Sequence, residues 1–130
     1  MTDKQEDKIR VLLIEDERNV AELYRLKLSL DGYDVIVAEN GEEGLNKALK
    51  VKPEVIFLDI KMPKMDGFEV LKILRESPQT KKVPIIILSN FDEQDLIEKG
   101  LTLGANEYLI KSQFTPEGIS NKVKDWLKED

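Results

Sequence analysis

The sequence contains no cysteine and no histidine. The first absence excludes disulfides and thiolate metal sites. The second removes imidazole bases, imidazole metal ligands and any phosphohistidine within the chain itself. Oxyanion or metal chemistry is left to Asp, Glu, Ser, Thr, Lys and Arg. No apolar run approaches the ~18 residues of a membrane span. The opening stretch MTDKQEDK is polar and lacks the apolar centre of a signal peptide. A cytoplasmic location with no membrane contact is expected. Basic residues are in the minority, 20 against 26 acidic, for a net charge of −6. That balance opposes phosphate-backbone binding, so no direct nucleic-acid contact is expected.

What is present describes one ordinary globular domain. The 130 residues can bury a single core, and 41% hydrophobic with 35% charged residues is not a disordered composition. Five short apolar segments stand out: Val11–Ile14, Val35–Ala38, Val55–Leu58, Pro84–Leu88 and Tyr108–Ile110. Continuous apolar runs of this length suit strands covered on both faces, as in parallel sheets. Pro84, with no N–H, is expected at the first position of its strand.

Helical spacing fills the intervals. Val20, Leu23, Tyr24 and Leu28 form one stripe, and Leu45, Ala48 and Leu49 a second, after an Asn40–Glu43 cap. Phe68, Leu71 and Leu74 follow Asp66-Gly67. Leu96 and Leu103 precede Gly104, which closes their helix. Ile119, Val123, Trp126 and Leu127 follow Thr115-Pro116-Glu117, a cap with proline at the first helical position. The order is strand–helix five times over, an α/β fold with a doubly wound parallel sheet. Residues 1–8 read as a flexible polar tail and 9–130 as the domain.

In open α/β sheets, sites form beyond the carboxyl ends of the strands. The polar residues there are Glu15, Asp16 and Glu17; Glu39 and Asn40; Asp59; Ser89 and Asn90; and Lys111 and Ser112. Polar residues end many strands for turn chemistry alone. Should the first and third strands be neighbours, however, Glu15, Asp16 and Asp59 converge, and three like charges require neutralisation. Oxygen ligands without His or Cys favour Mg²⁺, with Mn²⁺ as a substitute. Three carboxylates, a divalent cation and Lys111 would balance in charge. Such a site could stabilise a phosphoryl group, with Asp59 as nucleophile.

The chain resembles the receiver domain of bacterial two-component response regulators, of the stand-alone, single-domain type. The likeness rests on Leu13-Ile14-Glu15-Asp16-Glu17, on Leu58-Asp59 with Met62-Pro63 and Met65-Asp66-Gly67, on Ile87-Leu88-Ser89, and on Tyr108-Leu109-Ile110-Lys111. It implies a flavodoxin-like (βα)5 fold with strand order 2-1-3-4-5. It implies Asp59 as phosphoacceptor, Asp16 as a direct Mg²⁺ ligand, Glu15 acting partly through water, and the Lys61 backbone carbonyl as a further ligand. Ser89 and Lys111 would stabilise the phosphoryl group, and Ser89 and Tyr108 would form the switch. Read from the residues alone, Tyr108 is a half-buried strand residue with a solvent-facing hydroxyl.

The implied partners are a histidine kinase or histidine phosphotransfer protein as donor and an unidentified downstream protein. Its contact would be the surface of the fourth helix, fifth strand and fifth helix. A monomer is expected, or a dimer linked to phosphorylation. The domain would catalyse its own phosphorylation and dephosphorylation without being a turnover enzyme. Lys61 and Phe91, two residues beyond Asp59 and Ser89, would modulate dephosphorylation. Phe91 has no polar group to orient an attacking water, and Lys61 would shield the phosphoryl group, so a fairly long-lived phosphoryl state is expected. Ser112 stands where the family usually has a proline. A trans Lys111–Ser112 peptide and a reshaped loop to Thr115 are therefore expected. The alternatives are a non-phosphorylated interaction module on the same scaffold, an aspartate-nucleophile phosphatase dependent on Mg²⁺, and a flavin-binding protein. The phosphatase would need a second acid at Lys61. The flavin protein would need backbone N–H groups where carboxylates crowd.

Overall fold

The computed structural model describes residues 8–62 and 65–127. Pro63 of the Met62-Pro63 motif and most of the expected N-terminal tail lie outside them. Strands β1 (Arg10–Ile14), β2 (Asp34–Ala38), β3 (Val55–Leu58), β4 (Ile85–Ser89) and β5 (Glu107–Ile110) alternate with α1 (Arg18–Leu30), α2 (Gly41–Val51), α3 (Gly67–Glu76), α4 (Gln94–Thr102) and α5 (Pro116–Leu127). All strand pairs are parallel, in the order β2-β1-β3-β4-β5. The central strands β1, β3 and β4 are buried on both faces and the edge strands β2 and β5 half-buried, which is why the sequence shows runs rather than alternation. Leu12, Ile14, Ile56, Leu58, Ile85 and Ile87 face α2 and α3. Val11, Leu13, Phe57, Ile86, Leu88 and Leu109 face α1 and α5. Each such side chain, removed from water, stabilises the fold by roughly 1.5–3 kcal/mol before the entropy cost.

Helix starts follow from local chemistry. The Asn40 side chain accepts from Glu43 N–H, while the Glu43 carboxylate reaches past the cap to Glu39 N–H. Asp66 and Glu69 form a complete, reciprocal capping box at α3. Thr115 Oγ1 accepts from Gly118 N–H at α5. Such caps contribute ~1 kcal/mol each. Gly104 follows α4 with φ +116°, as its closing role requires.

Two stripe assignments need correction. Leu23 is 55% exposed and Leu49 48% exposed. The buried residues of α1 are Ala21, Tyr24 and Leu28, spaced 3 and 4, and Leu23 precedes Tyr24 by one position, so it rotates away from them. Pro84 also lies just before β4 rather than in it, and its carbonyl accepts from Ile56 N–H. Ser89, expected after the strand, is its last residue.

The turn before α3 presses against the back of Asp59. Gly67 N–H donates to the Ile60 carbonyl at 2.7 Å. A Cβ on Gly67 would overlap the Asp59 carbonyl oxygen and lie 2.7 Å from Ile60 Cα. Backbone atoms cannot yield as a flexible side chain can. Gly67→Ala should therefore cost about 2–3 kcal/mol, read as a lower urea midpoint at unchanged slope.

Candidate functional site

Strand register assembles the site. Ile14 pairs with Leu58, so the next residues, Glu15 and Asp59, leave the sheet side by side. Asp59 N–H donates to the Ile14 carbonyl and Glu15 N–H to the Ala38 carbonyl, which extends the ladder one step beyond the strands. Ser89 pairs with Ile110, which delivers Lys111 to the same end. A cleft of about 440 Å³ opens there, lined among others by Asp16, Asp59, Lys61, Ser89, Phe91 and Lys111.

One carboxylate oxygen each from Glu15, Asp16 and Asp59 lies within 4.8 Å of the others. Glu15 is 1% exposed and Asp59 7%. Lys111 Nζ sits 2.7 Å from Glu15 Oε1 and 3.4 Å from Asp59 Oδ2. The other Glu15 oxygen, Oε2, accepts from Glu17 N–H. The Lys111 ammonium is thus the one side-chain partner of the buried Glu15 Oε1 among the described residues.

The electrostatics follow from that packing. Burial, and then the Glu15 charge, push the Asp59 carboxyl up to about 7 against the opposing pull of Lys111. Burial works against the Lys111 ammonium, but Glu15 and Asp59 outweigh it and hold Lys111 above the ordinary lysine value.

Ser89 is buried, and its Oγ accepts from Phe91 N–H at 3.0 Å. The Tyr108 hydroxyl does not face solvent, as its residue type alone suggested. It donates to the Phe91 carbonyl at 2.8 Å. Burial raises the phenol, partly opposed by the adjacent Ser89 hydroxyl. Phe91 is thus held through its N–H by one expected switch residue and through its carbonyl by the other. Lys61 Nζ lies 5.5 Å from the Phe91 ring centroid, a cation–π contact. The Lys111–Ser112 peptide is trans, and Lys111–Gln113 forms a single 3-10 turn, as expected without the proline.

Every expected side chain of the site lines this one cleft or touches a residue that does. The sequence reading assigned no role to Met62 and Asn90, which also line it. Asn90 carried a signal as a strand-end polar residue. Met62 carried one only as part of the Met62-Pro63 motif, since an apolar loop residue by itself points to no site.

The raised Asp59 value has a thermodynamic consequence. The folded state binds its proton more tightly than the unfolded chain, whose carboxyl titrates near its ordinary value of 3.8. Asp59 therefore favours folding at low pH and loses that contribution as pH rises through about 7. With EDTA present, stability should fall between pH 5 and 8. Asp59→Asn should flatten that slope and stabilise the protein at pH 8 by about 1–3 kcal/mol. Urea titrations at the two pH values measure both effects.

Comparison with known proteins places this geometry. The family model of the response regulator receiver domain matches residues 11–124. The alkaline phosphatase synthesis transcriptional regulatory protein PhoP of Bacillus subtilis is 41% identical over 119 residues, covering 92% of this chain and 48% of PhoP. The dual master transcriptional regulator RpaA of Synechocystis is 37% identical over 120 residues, covering 92% of this chain and 49% of RpaA. The chain thus spans about half the length of these relatives. Among solved structures, the chemotaxis protein CheY4 of Vibrio cholerae superposes with a TM-score of 0.86 at 32% identity, covering 92% of this chain and 99% of CheY4. With the strand order, the acidic cluster and the family match in agreement, the chain belongs to the response regulator receiver domains, the phosphorylation-activated modules of two-component signalling.

Proposed function

We propose that Asp59 accepts a phosphoryl group from a phosphohistidine on a histidine kinase or histidine phosphotransfer protein. The observation that carries this reading is the convergence of Glu15, Asp16, Asp59 and Lys111 at the floor of one cleft. An Asp59 oxygen attacks phosphorus, a P–O bond forms, and the P–N bond of the donor breaks. The electron pair returns to the imidazole, which takes up a proton. Lys111 stabilises charge on the phosphoryl oxygens. Ser89 Oγ accepts from Phe91, which leaves its own hydrogen available to donate to the phosphoryl group.

The acidic cluster fits a divalent cation. Its donors are hard oxygens, and a single lysine faces the carboxylates of Glu15 and Asp59. Asp16, Asp59, Glu15 and the Lys61 carbonyl are the residues proposed to hold Mg²⁺, or Mn²⁺ in its place. Bound there, the ion would offset carboxylate charge and polarise phosphoryl oxygens.

A second groove shares Glu17, Asn90 and Lys111 with the cleft and adds Val20, Leu23 and Phe114. A donor that delivers phosphorus to Asp59 must cover this mouth. The groove's continuity with the cleft suits the helix that carries the phosphohistidine. On the output side, a phosphoryl group that draws Ser89 Oγ away frees Phe91 N–H, and with it the carbonyl that holds Tyr108. The surface of α4, β5 and α5 then changes population, by no more than the difference in contacts between the two states allows. The protein modifies itself and is not a turnover enzyme. Against the phosphatase reading, the position two beyond Asp59 is a lysine. No helix among the described residues is long and apolar enough to cross a membrane, which accords with a cytoplasmic role.

Incubation with Mg²⁺ and acetyl phosphate should add one phosphoryl group by mass, and Asp59→Ala should abolish the gain. An Asp59→Ala variant that still gains the mass would refute the assignment. Lys61 and Phe91 flank the water path, Phe91 with no polar group to orient a water and Lys61 as a shield over the phosphoryl group, so the double variant Phe91→Glu/Lys61→Asn should release phosphate several-fold faster. An unchanged or slower release rate would remove these two residues from that role.

A further inference from the structure

Of the five helices, α4 is the least anchored in the core. Gly100 is its one buried residue, whereas each of the others buries three to five. Its N-cap residue, Glu93, makes no side-chain cap hydrogen bond. Gly100 lets α4 approach the sheet closely. A Cβ there would lie 2.7 Å from Ile87 Cδ1 and 3.2 Å from Tyr108 Cδ2. The helix therefore rests directly on the Tyr108 ring.

The two ends of α4 are held differently. Before the amino end, Phe91 is held by two hydrogen bonds, from the Tyr108 hydroxyl to its carbonyl and from its N–H to Ser89 Oγ, both made by the expected switch residues. Beyond the carboxyl end stands Arg75, from the last turn of α3. Arg75 Nε donates to the Gly104 carbonyl at 2.8 Å, and Nη2 to Asn106 Oδ1 at 2.8 Å. Nη1 reaches the carbonyls of Val83 at 2.8 Å, Lys81 at 3.0 Å and Thr80 at 3.2 Å. These partners are all neutral oxygens, and a planar guanidinium with five N–H groups is the side chain that can serve so many. Asn106 Oδ1 also accepts from Ile85 N–H, which ties the exit of α4 to the start of β4. Gly104, at φ +116°, completes the fit: a Cβ there would lie 2.9 Å from Arg75 Cγ, so the arginine stem lies on a surface only glycine provides.

We propose that Arg75 is a positioning residue that fixes the carboxyl end of α4 as a pivot. Displacement of Tyr108 and Phe91 then swings the amino end of the helix, rather than sliding the whole helix along the sheet. The trigger for that swing rests on the phosphorylation reading above. The clamp itself does not.

The test is amide hydrogen exchange on the full chain, with Arg75→Lys against the unaltered protein. Lysine keeps the charge but loses the fork. Exchange in 94–106 should rise by about tenfold or more, while β1 and β3 keep their protection. A uniform rise across the domain, or none in 94–106, would overturn the proposal. Should Arg75→Lys fail to fold, exchange of the Arg75 Nε–H in the unaltered protein decides. It should be protected to the same degree as the α4 amides, and exchange at the rate of a free surface arginine would overturn the proposal.

A second arm separates clamp from trigger. With acetyl phosphate and Mg²⁺, Arg75→Lys should take up phosphate within about twofold of the unaltered rate, as expected for a residue remote from the chemistry. The change in the Tyr108 ring NMR signals on phosphorylation should shrink. An unchanged Tyr108 response would overturn the pivot. Failure of the unaltered protein to take up phosphate would instead count against the phosphorylation reading and leave the exchange result standing.

Discussion

The rest of the structure depends on two carboxylates that the sheet forces together. Pairing of Ile14 with Leu58 leaves Glu15 and Asp59 no choice but to emerge adjacent, and both are almost wholly buried. Alone, such a pair would repel and lose its hydration, a cost of several kcal/mol. Lys111, brought in by the pairing of Ser89 with Ile110, offsets the charge without cancelling it. Asp59 remains high in its titration range. Three carboxylates share one lysine, so the site is short of positive charge and suited in its donor chemistry to a cation.

The elements around the site differ in how firmly they are packed. The central strands β1, β3 and β4 are buried on both faces and offer little room for movement. Beside them, α4 has one buried residue, Gly100, and packs the partly buried Leu96 on the core. Phe91 connects the two regimes, since its two backbone groups are held by Ser89 and Tyr108. Arg75 ties down the chain beyond the carboxyl end of the helix, through Gly104 and Asn106.

Much of this was legible in the chain. The five apolar runs identified every strand to within a residue or two at each end, because strands buried on both faces cannot hide their composition. The chemistry of the site was legible because only a few residue types could do it, and because polar residues at strand ends were few enough to enumerate. The stripes of α1 and α2 were read too generously. Leu23 and Leu49 sit beside buried positions in sequence but rotate out to solvent.

Sequence by itself determined the fold class and which acids, hydroxyl and lysine stand at the strand ends, since apolar runs and the polar residues after them are read along one chain; the strand order came only through resemblance. Tertiary structure alone decided that Tyr108 turns its hydroxyl inward to Phe91, that Lys111 bonds more closely to Glu15 than to Asp59, and that Arg75 clamps the exit of α4. Each of these is a meeting between segments distant in the chain, fixed by directions and distances in space that no local pattern encodes.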